Sequence, residues 1–331
     1  MDGAIQLRSK INHFNVLVIG RANAGKTTLL KRVCNSIEDP EIFSPEGIKI
    51  DASIVEGSDD RGEHDIENRL IFKSNPNFIF HDSRGFESGS VKETEKVKAF
   101  IAERAASTHL SQQLHMIWYC LPTDTNRPLL EADKEFFNHS VAGKVPVVAI
   151  FTKFDALETK AFTELKQAGL SRREAMPLRT GKALELLTAN FIEPLLLTRF
   201  NPSDHLHLGN MHKNDSSCKE LIEKTANAIN DDRLRLLFVS VQQNNIDLSI
   251  FYAVESAFGS ASLDDRQIVE AILGYFQHSW QDTVSGMTGF AEIQCQLINV
   301  MGFAEVCKCC IPFYRAYFSR QTTRDLHRTM L

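Results

Sequence analysis

The chain has 331 residues, carries 37 Lys and Arg against 42 Asp and Glu for a net charge of −5, and is 43% apolar. These are the proportions of a globular protein with a sizeable core, and they offer no general attraction to phosphate backbones, which weighs against nucleic acid as a partner. Seven cysteines without regular spacing do not read as a disulfide framework, the opening MDGAIQLRSK has no apolar signal core, and no run reaches the roughly 18 apolar residues that span a bilayer, so a cytoplasmic protein without a membrane span is expected.

FNVLVIG (14–20) is a continuous apolar run, as expected of a central parallel strand. Lys26 to Ser36 reads as a helix. Residues 64–73 and 77–82 read as two strands joined by a tight Ser74-Asn75-Pro76 turn, and 92–107 has helical period. HMIWYCL (115–121) and VPVVAIF (145–151) are two more buried strands, with a helix around 129–139 between them. RLLFVSV (235–241) is expected as the last apolar strand. Strands alternating with helices imply an α/β fold, with a mostly parallel central sheet covered by helices.

A long helical insertion, about 156–233, separates Phe154 from that last strand, with helices expected near 159–168, 182–199 and 217–230. Within it DHLHLGNMHKND (204–215) reads as a short strand or loop. Residues 1–258 are expected to form the first domain, and 259–331 a helical C-terminal extension.

The first strand runs into Gly20-Arg21-Ala22-Asn23-Ala24-Gly25-Lys26-Thr27, a G-x-x-x-x-G-K-[ST] loop between strand and helix. Small residues let its backbone curl so that N–H groups point at phosphate oxygens, and the helix N-terminus adds partial positive charge. Lys26 reaches the β- and γ-phosphates, and the Thr27 hydroxyl is suited to Mg²⁺. Gly20, Asn23, Ala24, Gly25, Lys26, Thr27 and Thr28 are the expected contacts of this loop. A second element, Asp82-Ser83-Arg84-Gly85, ends the strand FIFHD. Asp82 can hold a Mg²⁺-bound water, and the Gly85 N–H can meet the γ-phosphate. A third, Thr152-Lys153-Phe154-Asp155, follows VPVVAIF. The Asp155 carboxylate can accept two hydrogen bonds from guanine, a donor pair that adenine lacks, and the Lys153 stem can lie along the base. Ser240 and Val241 are the expected fourth piece, with backbone contacts to the guanine oxygen.

In this order the motifs resemble a P-loop GTPase of the Era-like and septin-like branch. HDSRGFESGS, WYCLPTDTNRP (118–128), VPVVAIFTKFDAL (145–157) and LRLLFVSVQQNN (234–245) resemble uncharacterised fungal G-domain-containing proteins of that branch. The resemblance covers 14–258 apart from the insertion. It implies a G domain that binds GTP and Mg²⁺ and hydrolyses GTP to GDP and phosphate as a molecular switch, slowly without a partner or dimerisation. Lys26, Asn23 and Gly85 are the residues implied in catalysis. The rivals are a nucleotide-binding scaffold with negligible hydrolysis and a ribosome-assembly GTPase.

Two departures stand out. The first switch, taken as 40–64, has no threonine in GSDDRGEHDIE (57–67), leaving Ser58 or a carbonyl near Gly62 as its ligand. Phe86 stands where many such hydrolases keep a glutamine, and it cannot orient water. In Era-like loops of the form G-x-x-N-x-G-K-[ST], the asparagine helps bind K⁺ against the phosphates when two G domains face each other. Asn23 therefore stands either as a K⁺ ligand in a homodimer or as a brace for its own loop.

Other features have plainer readings. His205, His207, His212 and Cys218 fit no standard zinc spacing, and the alternation reads as two exposed histidines on one strand face. Cys307, Cys309 and Cys310 read as small residues of an apolar helix face, with acylation or metal binding as the alternative. The stretch 284–318 is either packed on its own domain, a peripheral membrane contact, or a docking face for an unknown protein effector. Arg84 is catalytic, a solvated loop residue or a partner contact.

Overall fold

The computed structural model describes residues 13–50, 65–83, 91–213 and 216–242, with Leu248 and Tyr252. All but those last two belong to one compact unit, residues 6–244. Its eight strands are β1 (Phe14–Gly20), β2 (Glu41–Phe43), β3 (Lys49–Ile50), β4 (Arg69–Phe72), β5 (Asn75–Asp82), β6 (Met116–Pro122), β7 (Val147–Thr152) and β8 (Asp204–Leu208). They form one sheet in the order β3-β2-β4-β5-β1-β6-β7-β8. β5, β1, β6, β7 and β8 run parallel, while β2 pairs antiparallel with both β3 and β4, and β4 antiparallel with β5.

The helices are α1 (Lys26–Val33), α2 (Val91–Ala106), α3 (Glu131–Asn138), α4 (Phe154–Gln167), α5 (Arg172–Leu187), α6 (Glu193–Leu196), α7 (Lys219–Ala228) and α8 (Asp232–Val241). A π segment, Thr188–Ile192, joins α5 to α6. Every residue of β1 and β6 is buried, as their apolar runs require of strands covered on both faces. On one face Leu17, Ile19, Ile117, Tyr119 and Phe151 pack with Phe100 of α2, Phe136 and Phe137 of α3 and Phe191 of the π segment. On the other, the Phe238 ring of α8 lies 5.0 Å from Phe14 and 5.9 Å from Phe78. There the indole Nε1–H of Trp118 donates to Thr225 Oγ1 of α7 at 3.1 Å. Burying one such Phe stabilises the fold by about 1.5–3 kcal/mol.

The strand expected over 235–241 is instead α8. Asp231 caps it, its carboxylate accepting from the N–H groups of Arg233 and Leu234. Leu237, Phe238 and Val241 then bury one helical face, and this face mimicked a continuous apolar strand in the sequence. The last described strand is β8, the HLHL alternation, parallel to β7. Its Leu206 and Leu208 are buried, while His205 and His207 are half-buried rather than exposed. Their rings rest against Phe151 at 6.2 Å and Phe154 at 4.2 Å.

A helical insertion does precede the last strand, but it is α4 to α6. Its second helix starts ten residues earlier than expected, although Pro177 and Gly181, both poor helix formers, lie inside it. Ser171 and Glu174 outweigh them with a reciprocal cap: Glu174 N–H donates to Ser171 Oγ at 3.3 Å, and Ser171 N–H to Glu174 Oε2 at 2.8 Å. Residues 40–50, expected as switch, carry the β2–β3 hairpin. The rest of that switch, with Ser58 and Gly62, lies outside the described residues. So do Arg84, Gly85, Phe86, the boundary at 258–259 and the extension with its cysteines.

Candidate functional site

The parallel strands bring their carboxyl ends to one edge of the sheet, where ligands of open α/β sheets bind. The register levels them: Val18 stands beside Asp82, Gly20 beside Cys120, Pro122 beside Thr152, and Thr152 beside Leu208. Four loops therefore leave from neighbouring positions, after β1, β5, β7 and β8, with the β6 loop between them.

The loop after β1 needs its glycines. A Cβ on Gly20 would lie 2.7 Å from Cys120 O, and Gly25 has φ of 81°. Asn23 also turns left-handed, at φ 59°. Ala22, Asn23 and Thr27 are exposed, Lys26 and Thr28 half-buried, and Ala24 buried. Lys26 Nζ folds back to donate to Gly20 O at 2.9 Å and Arg21 O at 3.2 Å, and it stands 3.7 Å from Asp82 Oδ1. That oxygen is buried without a hydrogen-bond partner. Burial pushes the Asp82 carboxyl up to about 6, against the pull of Lys26. A carboxylate oxygen without a hydrogen bond at the end of β5 and an exposed threonine at the start of α1 suit a hydrated divalent cation. Among the described residues, no group of three or more His, Cys, Asp or Glu could hold a metal by itself. Such an ion would therefore draw on Thr27, Asp82 and a ligand's own oxygens.

The loop after β7 is tied to this one directly: Thr152 Oγ1 donates to Ala24 O at 2.7 Å. Thr123 Oγ1, after β6, donates to Thr152 O at 3.1 Å and Lys153 O at 2.9 Å. Lys153 sits at φ 59° and its Nζ donates to Asp124 Oδ2 at 2.7 Å. Asp155, in the first turn of α4, lines an open cleft of about 530 Å³ with Glu158, Phe162 and Asn210.

Sequence reasoning missed two parts. One is the loop after β8: Asn210 N–H donates to Asp155 Oδ1 at 2.7 Å, and a Cβ on Gly209 would come within 3.1 Å of Asp155 N. Gly-Asn after an alternating strand was its signal. The expected fourth piece is not brought here. Val241 O accepts from Asn75 Nδ2 at 3.0 Å, and Asn75 opens the strand that Asp82 ends, about 23 Å away at ~3.3 Å per residue. The other missed part is Arg21. Its guanidinium donates to Arg127 O, Pro128 O and Asp133 Oδ2, at 2.8, 2.8 and 2.7 Å. The other Asp133 oxygen accepts from Tyr119 OH at 2.8 Å. This buried set anchors the first loop to β6 and α3 through both terminal nitrogens of the guanidinium, while its Nε is buried without a hydrogen-bond partner.

Sheet, loop and motif order together are those of a P-loop NTPase G domain. Among curated proteins, the chain is 24% identical over 170 residues to the probable GTP-binding protein EngB of Pasteurella multocida. It is 22% identical over 170 residues to the probable GTP-binding protein EngB of Haemophilus influenzae. Each match spans 51% of this chain and 72% of the relative. No family model matches the chain. Among the described residues, no helix is long and apolar enough to cross a membrane.

Proposed function

We propose that the chain binds GTP with Mg²⁺ and hydrolyses it to GDP and phosphate as a molecular switch of the Era-like and septin-like branch. The observation that carries this reading is the Thr152–Ala24 hydrogen bond, which ties the loop after β1 to the loop that leads into Asp155. In this reading the N–H groups of 23–28 and Lys26 hold the phosphates, and Thr27 and Asp82 hold the cation. Lys153 covers the base, Asp155, held by the Asn210 N–H, accepts from its N1–H and amine, and the N–H groups at 211–212 face its oxygen. A cation held by Thr27 and Asp82 would neutralise charge that develops between the β- and γ-phosphates, and Gly85 is the residue expected to offer its N–H to the γ-phosphate. Asn23, exposed at the loop mouth, supports a K⁺ site completed by a second G domain.

The test is single-turnover phosphate release in matched K⁺ and Na⁺ buffers, over a range of protein concentration, for wild type and Asn23→Ala. Faster release in K⁺ that rises with concentration and is lost in the variant is expected. Equal rates in all conditions would remove the K⁺ and dimer mechanism. No release at all would favour the scaffold reading, which the missing switch threonine and Phe86 support.

A further inference from the structure

The geometry points to Arg32 as a positioning residue that sets nucleotide affinity through the base loop without touching the nucleotide, an inference that rests on the guanine-binding reading above. Arg32 is the penultimate residue of α1, the eight-residue helix that the phosphate loop opens. Its Nε donates to Met211 O at 2.9 Å and its Nη2 to His212 O at 3.2 Å. Met211 and His212 directly follow Asn210, whose N–H holds Asp155. The same turn is closed from within, where Lys213 N–H at 2.8 Å and Ser216 Oγ at 2.5 Å both donate to Asn210 O.

The fork of one guanidinium therefore holds two successive carbonyls of the loop. A planar fork suits this better than an ammonium, which offers a point charge on a flexible stem. With both carbonyls turned toward Arg32, the peptide planes that carry the N–H groups of His212 and Lys213 are held in one orientation, and the bonds to Asn210 O do the same for the Met211 N–H. That orientation matters for a ligand whose carbonyl oxygen must find a preformed donor. One short helix thus carries the phosphate loop at its first residue and the clamp on the base loop near its last, so its seating couples the two halves of the site.

The experiment displaces a fluorescent GDP analogue from full-length protein with GDP, IDP and ADP, for wild type, Arg32→Ala and Arg32→Lys, with a thermal melt of each. GDP and IDP both carry a 6-oxo group, and ADP carries an amine there. Arg32→Ala is expected to weaken GDP and IDP equally, by about tenfold, within the range of couplings between sites. ADP should be unaffected, and Arg32→Lys should recover part of the loss. Equal weakening of all three nucleotides would mean a merely structural role and overturn the inference, as would unchanged GDP affinity in a folded Arg32→Ala. Should Arg32→Ala fail to fold, an unchanged GDP-to-ADP ratio in Arg32→Lys would overturn it. A wild type that does not prefer GDP to ADP would instead fail the guanine reading itself.

Discussion

On the base side of the site, Thr152, Thr123, Lys153 and Asp155 each hold a neighbouring loop through hydrogen bonds of 2.7, 3.1, 2.7 and 2.7 Å. On the phosphate side, Lys26 is turned back onto carbonyls of its own loop, and Asp82 keeps a buried oxygen without a partner. These loops are therefore tied together by the protein's own hydrogen bonds, which under the proposed function would leave little ordering cost for base recognition. In the proposed reading, phosphate would draw Lys26 from the carbonyls of its own loop and a cation would meet Asp82. The proposed function assigns selectivity to the half tied by these hydrogen bonds and nucleotide-state sensing to the other.

The comparison breaks most easily at Lys26. Lys26→Ala and Thr27→Ala should each abolish tight GTP·Mg²⁺ binding in calorimetric titration, while the melting temperature stays within a few degrees, because Thr27 is exposed and the nearly buried Lys26 Nζ donates to carbonyls of its own loop. A variant that keeps wild-type affinity would refute the phosphate-side assignment.

Thr152→Val should do the converse. It leaves Ala24 O without its donor inside the protein, at a cost of about 1–3 kcal/mol in stability by urea unfolding. Because this bond ties the two halves, nucleotide binding should weaken as well. A neutral variant would show that the two sides stand independently.

A smaller effect follows from pH. Burial lowers both His81 and His115 from 6.5 to about 4. His115 shows why: its Nδ1 accepts from Asn15 N–H at 3.0 Å, so a second proton would break that bond. These depressed values contribute stability above 6.5 that is lost as pH falls through about 4, roughly 3 kcal/mol each. Asp82 opposes them. Its raised value contributes stability below 3.8 that is lost as pH rises through about 6, of similar size. Two histidines against one aspartate leave a net loss of roughly 3 kcal/mol on acidification from pH 7 to 4, measurable by urea unfolding. Mg²⁺-dependent nucleotide binding should weaken below about pH 6, where Asp82 takes up its proton.

The two sides also differed in how far they could be read from the sequence. Gly20, Lys26, Thr27 and Asp82 lie in a contiguous loop and at an apolar strand end, where backbone demands leave a fixed spacing. Asp155 was legible for the same reason. The loop after β8 was not, because its bond to Asp155 is made by the Asn210 backbone N–H, which any residue but proline supplies, and its strand is only five residues long. A longer apolar run at 235–241 outcompeted it, although Asp231 and Asp232 carried the signature of a helix start. Arg21 was missed because its partners, Arg127, Pro128 and Asp133, lie more than a hundred residues away, and only the β1–β6 pairing brings them together.

The most direct test of a preformed guanine-selecting half is competition between GDP and XDP for wild type and Asp155→Asn. The account predicts that wild type prefers GDP and the variant prefers XDP, because an amide replaces one acceptor with a donor. The swing should reach at least about 3 kcal/mol, since sites built on polar pairing reject mismatches strongly. A variant that binds GDP as tightly as wild type would contradict it.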